Sequence, residues 1–136
     1  MPHGITNALL IYNPTSGRRR HRRFAEVEQA VRILKDTGIT AELAATEGRG
    51  SAKEIARLAV EQGRGMVITC GGDGTINEVI NGLARSNVPM ALLPAGTANI
   101  LAKELGIPWD IPHASRLITT GTVSYTHLTL PTIYSV

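Results

Sequence analysis

The sequence has little cysteine and few aromatic residues, and both shortages limit what the protein can be. One cysteine among 136 residues excludes a disulfide within the chain, which fits a reducing compartment. Aromatic residues make up 4% of the sequence and hydrophobic residues 43%, so a packed core must consist mainly of alanine, valine, isoleucine and leucine. The histidines, at positions 3, 21, 113 and 127, have no spacing typical of a metal site.

Long apolar runs are also missing. No stretch approaches about 18 consecutive apolar residues, and the N-terminus has no signal-peptide pattern. We therefore expect a soluble, cytoplasmic protein. The length of 136 residues, without internal repeats, predicts one domain.

The positive charge of the chain is concentrated in an arginine run. The formal net charge is +3, and five arginines lie at positions 18, 19, 20, 22 and 23. Such a run is typical of a solvated face, and it also suits phosphate groups or an anionic membrane surface. No aromatic platform accompanies it, so we do not expect a nucleic-acid partner. The sequence assigns no oligomeric state.

Strand-like and helix-like segments alternate along the chain. Apolar runs typical of strands lie at 8–12, 40–45, 66–69 and 88–93. Segments with helical spacing follow them, at about 20–37, 51–62, 76–85 and 98–105, with a further helical piece at 113–120. Four β-α units predict an α/β fold, an open, mostly parallel sheet with helices on both faces.

The helical spacing also predicts which side chains face the core. The expected inward residues are Phe24, Val27, Val31 and Leu34 in the first helix, Ile55, Leu58 and Ala59 in the second, and Ile76, Val79, Ile80 and Leu83 in the third. Gly38 is expected to end the first helix, and Ser51 and Thr75 to cap the second and third.

The most distinctive stretch is Cys70-Gly71-Gly72-Asp73-Gly74-Thr75, which joins the third strand to the third helix. Glycine permits a positive φ and lets a ligand approach the backbone, and a helix N-terminus favours an anion. Two common phosphate loops are excluded, because residues around Gly17 do not match G-x-x-x-x-G-K-[ST] and residues 72–77 lack the third glycine of G-x-G-x-x-G. An acid inside a phosphate turn predicts that Asp73 acts through Mg²⁺ or near a transferred group.

Polar loops follow every predicted strand. The carboxyl ends of parallel strands meet at one edge of a sheet, where open α/β sheets bind ligands. These loops offer backbone N–H groups together with the hydroxyls and amides of Asn13, Thr15, Ser16, Thr46, Thr75, Asn77, Thr97 and Asn99. Since such groups are donors for phosphate oxygens, the sequence predicts a phosphate-containing ligand at this edge.

Three motifs, in order, resemble the diacylglycerol kinase catalytic domain, in the group shared by bacterial lipid kinases and sphingosine kinases. They are Asn13-Pro14-Thr15-Ser16-Gly17, then Gly71-Gly72-Asp73-Gly74-Thr75 with Glu78 and Asn81-Gly82-Leu83, and Pro94-Ala95-Gly96-Thr97-Ala98-Asn99. The resemblance covers about residues 6–121 and departs from the family at Ala98 and Ile100, where Gly and Asp are frequent. It implies a nucleotide lobe similar to those of phosphofructokinases and NAD kinases, which share the Gly-Gly-Asp-Gly-Thr motif.

The resemblance implies an ATP- and Mg²⁺-dependent kinase that passes the γ-phosphate to the hydroxyl of a diacylglycerol-like lipid, with transient contact at the inner face of the membrane. It implies that ATP is held by Asn13, Pro14, Thr15, Ser16, Gly17, Thr46, Gly71, Gly72, Asp73, Gly74, Thr75, Ile76, Asn77, Glu78, Gly96, Thr97 and Asn99. Asp73 is assigned to the phosphate or Mg²⁺ site, and the general base is expected outside this chain.

Two other functions stay open. One is a NAD-kinase-type enzyme, which would phosphorylate NAD and not a lipid. The other is a nucleotide-binding module without catalysis, which would bind ATP without turnover even in a complete protein. The Asn-Pro-Thr-Ser-Gly loop favours the lipid kinase.

The end of the sequence differs in character from the rest. No charged residue follows Arg116, and residues 123–132 resemble, residue for residue, the translation of a transposase-type sequencing adapter. We expect residues 1–122 to be the nucleotide-binding domain and residues 123–136 to be non-native; the other interpretation is a genuine strand. Members of the resembled family carry a β-rich second lobe with the lipid site and the catalytic base, so we expect a truncated chain that is inactive by itself.

Overall fold

The computed structural model describes residues 6–15, 20–94, 115–116, 118 and 124–125. In chain order these form β1 (Asn7–Tyr12), a 3-10 turn (Arg20–Arg22), α1 (Arg23–Asp36), β2 (Thr40–Ala45), α2 (Ser51–Glu61), β3 (Met66–Gly71), α3 (Asp73–Leu83), β4 (Met90–Pro94) and β5 (Ser124–Tyr125). Ser115, Arg116 and Ile118 are helical, within the helical piece expected at 113–120. The loop and helix expected at 94–105 lie outside the described residues beyond Pro94.

The strands form one sheet in the order β2-β1-β3-β4-β5, and the first four are parallel. Every residue of β3 is buried, and so is every residue of β1 after Asn7. Burial of successive residues means that both faces of these central strands are covered. Helices α2 and α3 pack against each other, and the right-handed crossovers expected of β-α units put α1 on the opposite face of the sheet. The predicted α/β fold, an open and mostly parallel sheet, is therefore confirmed.

The short strand β5 lies within the segment expected to be non-native. It pairs antiparallel with β4, with Tyr125 opposite Met90 and Ser124 opposite Ala91. An uncharged, alternating segment is suited to pairing with an open sheet edge, as β5 does here. The domain boundary at residue 122 stays a prediction.

Two large side chains expected in the core are exposed instead. Phe24 of α1 is 55% exposed and Leu58 of α2 is 44% exposed. The faces that pack are richer in small residues, with Ala30 beside Val27 and Leu34 in α1, and with alanines at 52, 56 and 59 in α2. Hydrophobicity alone favoured the largest apolar side chains for the core, whereas close packing of the helices placed alanine residues there. By contrast, the expected inward face of α3 is confirmed.

The helix ends also differ in part from expectation. Gly38, with φ +101°, follows α1 in the left-handed conformation that its predicted role as a stop requires. Ser51 is the first residue of α2, and the cap position belongs to Gly50. Ser51 Oγ accepts a hydrogen bond from the backbone N–H of Glu47, 3.0 Å away, so the side chain stabilises the preceding loop rather than the helix.

Helices α2 and α3 approach each other closely at Gly82. A Cβ placed on Gly82 would lie 2.4 Å from the backbone oxygen of Lys53 and 2.7 Å from Cβ of Ala56. No side chain fits at these distances, so a glycine on α3 and an alanine on α2 set the separation of the two helices. This contact positions the beginning of α2 relative to α3, and both helices border the site described below.

We expect Gly82→Ala to destabilise the protein. Alanine favours a helix over glycine by about 1 kcal/mol, but the added methyl must push α2 away, and overpacking of this kind costs about 1–3 kcal/mol. Urea denaturation should show a lower free energy of unfolding. The matched control is Gly74→Ala, also in α3, where an added Cβ meets nothing within 4 Å. Equal or greater stability of Gly82→Ala would contradict the close helix contact.

Candidate functional site

The parallel strands end side by side. Tyr12 is level with Ala45 of β2 and with Cys70 of β3, and Gly71 is level with Pro94 of β4. The loops that follow β1, β2 and β3 therefore begin along one rim of the sheet, as the sequence predicts.

The first residues of two loops extend the sheet's hydrogen bonding. The backbone N–H of Asn13 donates to the oxygen of Cys70 over 3.2 Å, and that of Thr46 donates to the oxygen of Tyr12 over 2.9 Å. Both loops thus leave the sheet from fixed positions. The Asn13 side chain also orders its own loop, because its Oδ1 accepts from the N–H of Thr15 at 2.9 Å and from the hydroxyl of Thr15 at 2.8 Å.

A cavity of about 560 Å³ lies at this rim, between the loops. Its lining combines backbone of glycine residues with hydroxyl, amide and charged side chains: Asn13, Thr15, Thr46, Glu47, Gly48, Arg49, Ala52, Gly72, Gly74, Thr75 and Glu78. Such a volume lies in the usual range for a small-molecule site.

The glycine turn after β3 has a different local structure from the one expected. Helix α3 begins at Asp73, with Gly72 as an extended N-cap residue, so Thr75 lies inside the first turn and the prediction of a Thr75 cap is wrong. Because Asp73 and Gly74 already have helical conformations, the helix starts before Thr75 can cap it. The N-cap residue Gly72 has no side chain with which to cap α3, and the backbone N–H groups of the first turn are directed toward the rim.

The glycines in this turn provide space rather than an unusual backbone conformation. None of Gly71, Gly72 and Gly74 has a positive φ. A Cβ on Gly71 would lie 2.7 Å from Cβ of Thr75, so Gly71 lets the first turn of α3 pack on the end of β3. A Cβ on Gly72 or Gly74 would meet nothing within 4 Å, and both residues border the cavity. These two glycines leave the backbone open to a ligand.

Glu78 joins α3 to the loop after β2. Its Oε2 accepts a hydrogen bond from the N–H of Gly50, and its Oε1 accepts one from the N–H of Ala52, each over 3.1 Å. Gly50 is the N-cap of α2 and has no side chain to satisfy the first N–H groups of that helix. The carboxylate of Glu78 supplies that cap from a neighbouring helix, although the residue also borders the cavity.

The structure brings seven of the predicted site residues together around the cavity: Asn13, Thr15, Thr46, Gly72, Gly74, Thr75 and Glu78. Five others are described but do not line it, namely Pro14, Gly71, Asp73, Ile76 and Asn77. Among these, Ile76 is fully buried in the core and Asn77 is exposed. Ser16, Gly17, Gly96, Thr97 and Asn99 lie outside the described residues.

Four lining residues were not predicted: Glu47, Gly48, Arg49 and Ala52. The signal was present in the sequence, because Gly48 and Gly50 flank Arg49 directly after a predicted strand. Both glycines have positive φ, +114° and +85°, so the chain turns sharply on each side of Arg49. The sequence placed this loop at the rim, but within it the family resemblance singled out only Thr46 as a site residue.

The arginine run is only partly a solvated face. His21 and Arg22 are exposed, but Arg23 is 2% exposed and pairs with Glu26, with 2.9 Å between Nη1 and Oε1. A buried guanidinium needs such a partner. Arg23 also lies 4.0 Å from Sγ of Cys70, which places it beneath the rim, on the α1 side of the sheet.

Neither a metal cage nor a membrane span is found in the part of the chain that the structure describes. No three His, Cys, Asp or Glu side chains cluster there as a metal cage would require. No helix in that part is long and apolar enough to cross a bilayer.

The family model described as the diacylglycerol kinase catalytic domain matches residues 7–129. The chain is 40% identical over 116 residues to a protein called diacylglycerol kinase from Staphylococcus aureus (strain bovine RF122 / ET3-1), a match that covers 84% of this chain and 36% of that relative. It is 39% identical to a diacylglycerol kinase from Staphylococcus saprophyticus, over 84% of this chain and 37% of the relative. The chain thus spans just over a third of the length of these relatives.

Comparison with solved structures points to the same family. A crystal structure of a diacylglycerol kinase from Bacillus anthracis str. Sterne superposes with a TM-score of 0.74 at 30% sequence identity. The superposition covers 85% of this chain and 42% of the other.

The buried thiol of Cys70 makes stability sensitive to alkaline pH. Burial raises the pKa of this thiol from 9.0 to about 12, and the nearby Arg23 guanidinium only partly offsets the effect. Below the pKa that the thiol has in the unfolded chain, both the folded and the unfolded protein hold the proton, so the free energy of unfolding does not change with pH through this group. Above it the unfolded chain ionises first, and stability should fall by up to about 1.4 kcal/mol per pH unit until the folded pKa is reached.

We expect urea denaturation of the wild type to show this loss above about pH 9, and Cys70→Ala to lack it. The informative quantity is the difference between the two proteins at each pH, since other groups titrate equally in both. A difference that does not change with pH would contradict a raised thiol pKa.

Proposed function

The chain belongs to the diacylglycerol kinase catalytic-domain family, and we propose that it forms the ATP-binding lobe of a kinase that phosphorylates a diacylglycerol-like lipid. One observation carries the proposal. The loops that hold two of the family motifs, after β1 and after β3, border a single cavity at the carboxyl ends of the parallel strands. Open α/β sheets bind nucleotides at this position.

We propose that the triphosphate lies against the beginning of α3. The N-cap residue Gly72 has no side chain to occupy the first-turn N–H groups, and a helix N-terminus stabilises a nearby negative charge by about 0.3–1 kcal/mol. The hydroxyl of Thr75 supplies a further donor at the cavity, whereas the hydroxyl of Thr15 already donates to Asn13. Gly72 and Gly74 allow the phosphates to approach the backbone.

A nucleotide-bound Mg²⁺ fits this rim better than an ion held by protein alone. Mg²⁺ in phosphoryl-transfer sites is usually bound by one or two carboxylates together with substrate phosphates. Asp73 does not itself line the cavity, but it lies between the lining residues Gly72 and Gly74 at the first position of α3, and we propose that it would hold the ion, which would supply charge neutralisation on the transferred phosphate. Glu78 is less suited, because both of its carboxylate oxygens accept backbone N–H groups.

The remaining steps of the reaction belong to a longer protein. Because the chain spans 36% of the length of its Staphylococcus aureus relative, we propose that the lipid site and the general base lie in a second lobe. In that arrangement this lobe positions ATP, and phosphoryl transfer depends on positioning and charge stabilisation.

We expect ATP to stabilise the chain against heat and Gly72→Val to abolish that effect. At about 100 times its Kd, ATP should add about 2.7 kcal/mol to the free energy of unfolding, measured as a rise in Tm. The extended backbone of Gly72, with φ −82° and ψ −175°, accepts valine, but the branched side chain would occupy the space that the phosphates need.

Ala84→Val is the matched control. It adds similar bulk at the far end of α3, where φ is −54° and ψ is 139°, and Ala84 does not line the cavity. A normal ATP response in Gly72→Val, with the ligand-free Tm unchanged, would contradict the proposed phosphate position.

The catalytic part of the proposal is tested with ATP radiolabelled on its γ-phosphate and diacylglycerol in mixed micelles. We expect labelled phosphatidic acid from a full-length relative and none from this chain by itself. Substituting NAD for the lipid tests the NAD-kinase alternative. Product formed by the 136-residue chain would refute its inactivity, and ATP binding without turnover in an extended protein would favour a non-catalytic module.

A further inference from the structure

We propose that Glu78 is a positioning residue, which holds the loop after β2 in place as one wall of the cavity and does not itself bind the nucleotide. The identity of the ligand rests on the proposed function. The role of Glu78 rests on its own contacts with the loop and with α2.

The carboxylate of Glu78 is fully engaged by backbone. One oxygen accepts from the N–H of Gly50 and the other from the N–H of Ala52, each over 3.1 Å. A carboxylate that accepts backbone N–H groups makes hydrogen bonds stronger than those between neutral groups. The contact also places a negative charge at the N-terminus of α2, where the helix dipole is favourable. Glu78 therefore replaces the side-chain cap that Gly50 cannot provide.

The loop held in this way has few other restraints. Between Thr46, which is bonded to β1, and Ser51, the chain passes through two glycines in the left-handed region. Within this stretch, the N–H of Glu47 donates to Ser51 Oγ and the N–H of Ser51 donates to the oxygen of Gly48, both contacts inside the loop itself. The hydrogen bonds from Glu78 tie the loop to α3, and so fix one side of the cavity relative to the glycine turn.

The loop also carries the cationic side chain that borders the cavity. Arg49 is the single lysine or arginine among the described lining residues, and Glu47 and Glu78 are acidic. A free carboxylate at Glu78 would repel a triphosphate, and its bonds to two N–H groups offset that charge locally. Holding the loop therefore does two things: it presents Arg49 to the cavity and it reduces the unfavourable field of Glu78.

The close approach of α2 to α3 makes the contact feasible. Gly82 lies one turn after Glu78 on the same side of α3, and it packs directly against Lys53 and Ala56 of α2. With a larger residue at position 82, the amides of Gly50 and Ala52 would lie farther from the carboxylate. Glu78 and Gly82 thus act together on the position of α2.

The first arm of the test measures amide hydrogen exchange by NMR in the ligand-free 136-residue chain. We expect Glu78→Ala to speed exchange of the Gly50 and Ala52 amides by about tenfold or more. Glu78→Gln keeps one carbonyl oxygen, so it should restore protection to one of the two amides. Glu47→Gln is the matched control, because it removes the same charge from the same cavity and should leave both amides unchanged.

The second arm measures ATP affinity of the same proteins by calorimetry. We expect Kd to rise about tenfold in Glu78→Ala and by less in Glu78→Gln, with no weakening in Glu47→Gln. Weaker ATP binding in Glu78→Ala with unchanged amide exchange would overturn the proposal, because Glu78 would then act on the nucleotide directly. Unchanged affinity in Glu78→Ala with faster exchange would overturn it as well.

Failure of the proposed function gives a different result. If the wild type binds no ATP, the nucleotide assignment fails, whereas the amide exchange of Gly50 and Ala52 still decides whether Glu78 holds the loop. Glu78→Gln guards against a folding defect, since it retains the shape of the side chain. Its Tm is measured beside that of the wild type, and equal values show that the variant is folded.

Discussion

The contact between α2 and α3 is the constraint on which the rest of the site depends. At Gly82 the helices are so close that even one added carbon would lie 2.4 Å from a backbone oxygen. This separation brings the beginning of α2 within reach of Glu78, whose carboxylate caps the helix across the interface. Packing of Gly82 against the beginning of α2 thus positions the cavity wall that Glu78 holds.

The sheet supplies the second part of the arrangement. Parallel pairing in a fixed register makes β1, β2 and β3 end level with one another, so their loops meet without further adjustment. The glycine turn then adds a helix N-terminus whose N-cap residue has no side chain, together with an open backbone surface. Glycine backbone and polar side chains therefore share the lining, and the side chains of Asn13 and Glu78 also hold their loops in place.

Hydrophobic pattern and motif spacing predicted most of the fold and the rim. The errors arise where packing or backbone conformation, rather than pattern, decided the outcome. Strand β2 was predicted with its observed ends, Thr40 and Ala45. Phe24 and Leu58 were expected in the core and are exposed, because helical spacing defines a stripe but the neighbouring helix or sheet decides which edge of the stripe packs. Thr75 fits the composition of a cap, yet the helix begins earlier, since Gly72 and Asp73 adopt conformations that no local rule dictates.

By itself, the sequence determined the order of strands and helices, the parallel sheet and the rim where its loops converge. These follow from local hydrophobic periodicity and from the handedness of β-α units. Only the tertiary structure decided that Arg49 borders the cavity and that Glu78 caps α2. Both depend on the distance between elements far apart in the chain, such as the contact between Gly50 and Glu78. That distance is set by packing at Gly82, which periodicity and motif spacing do not encode.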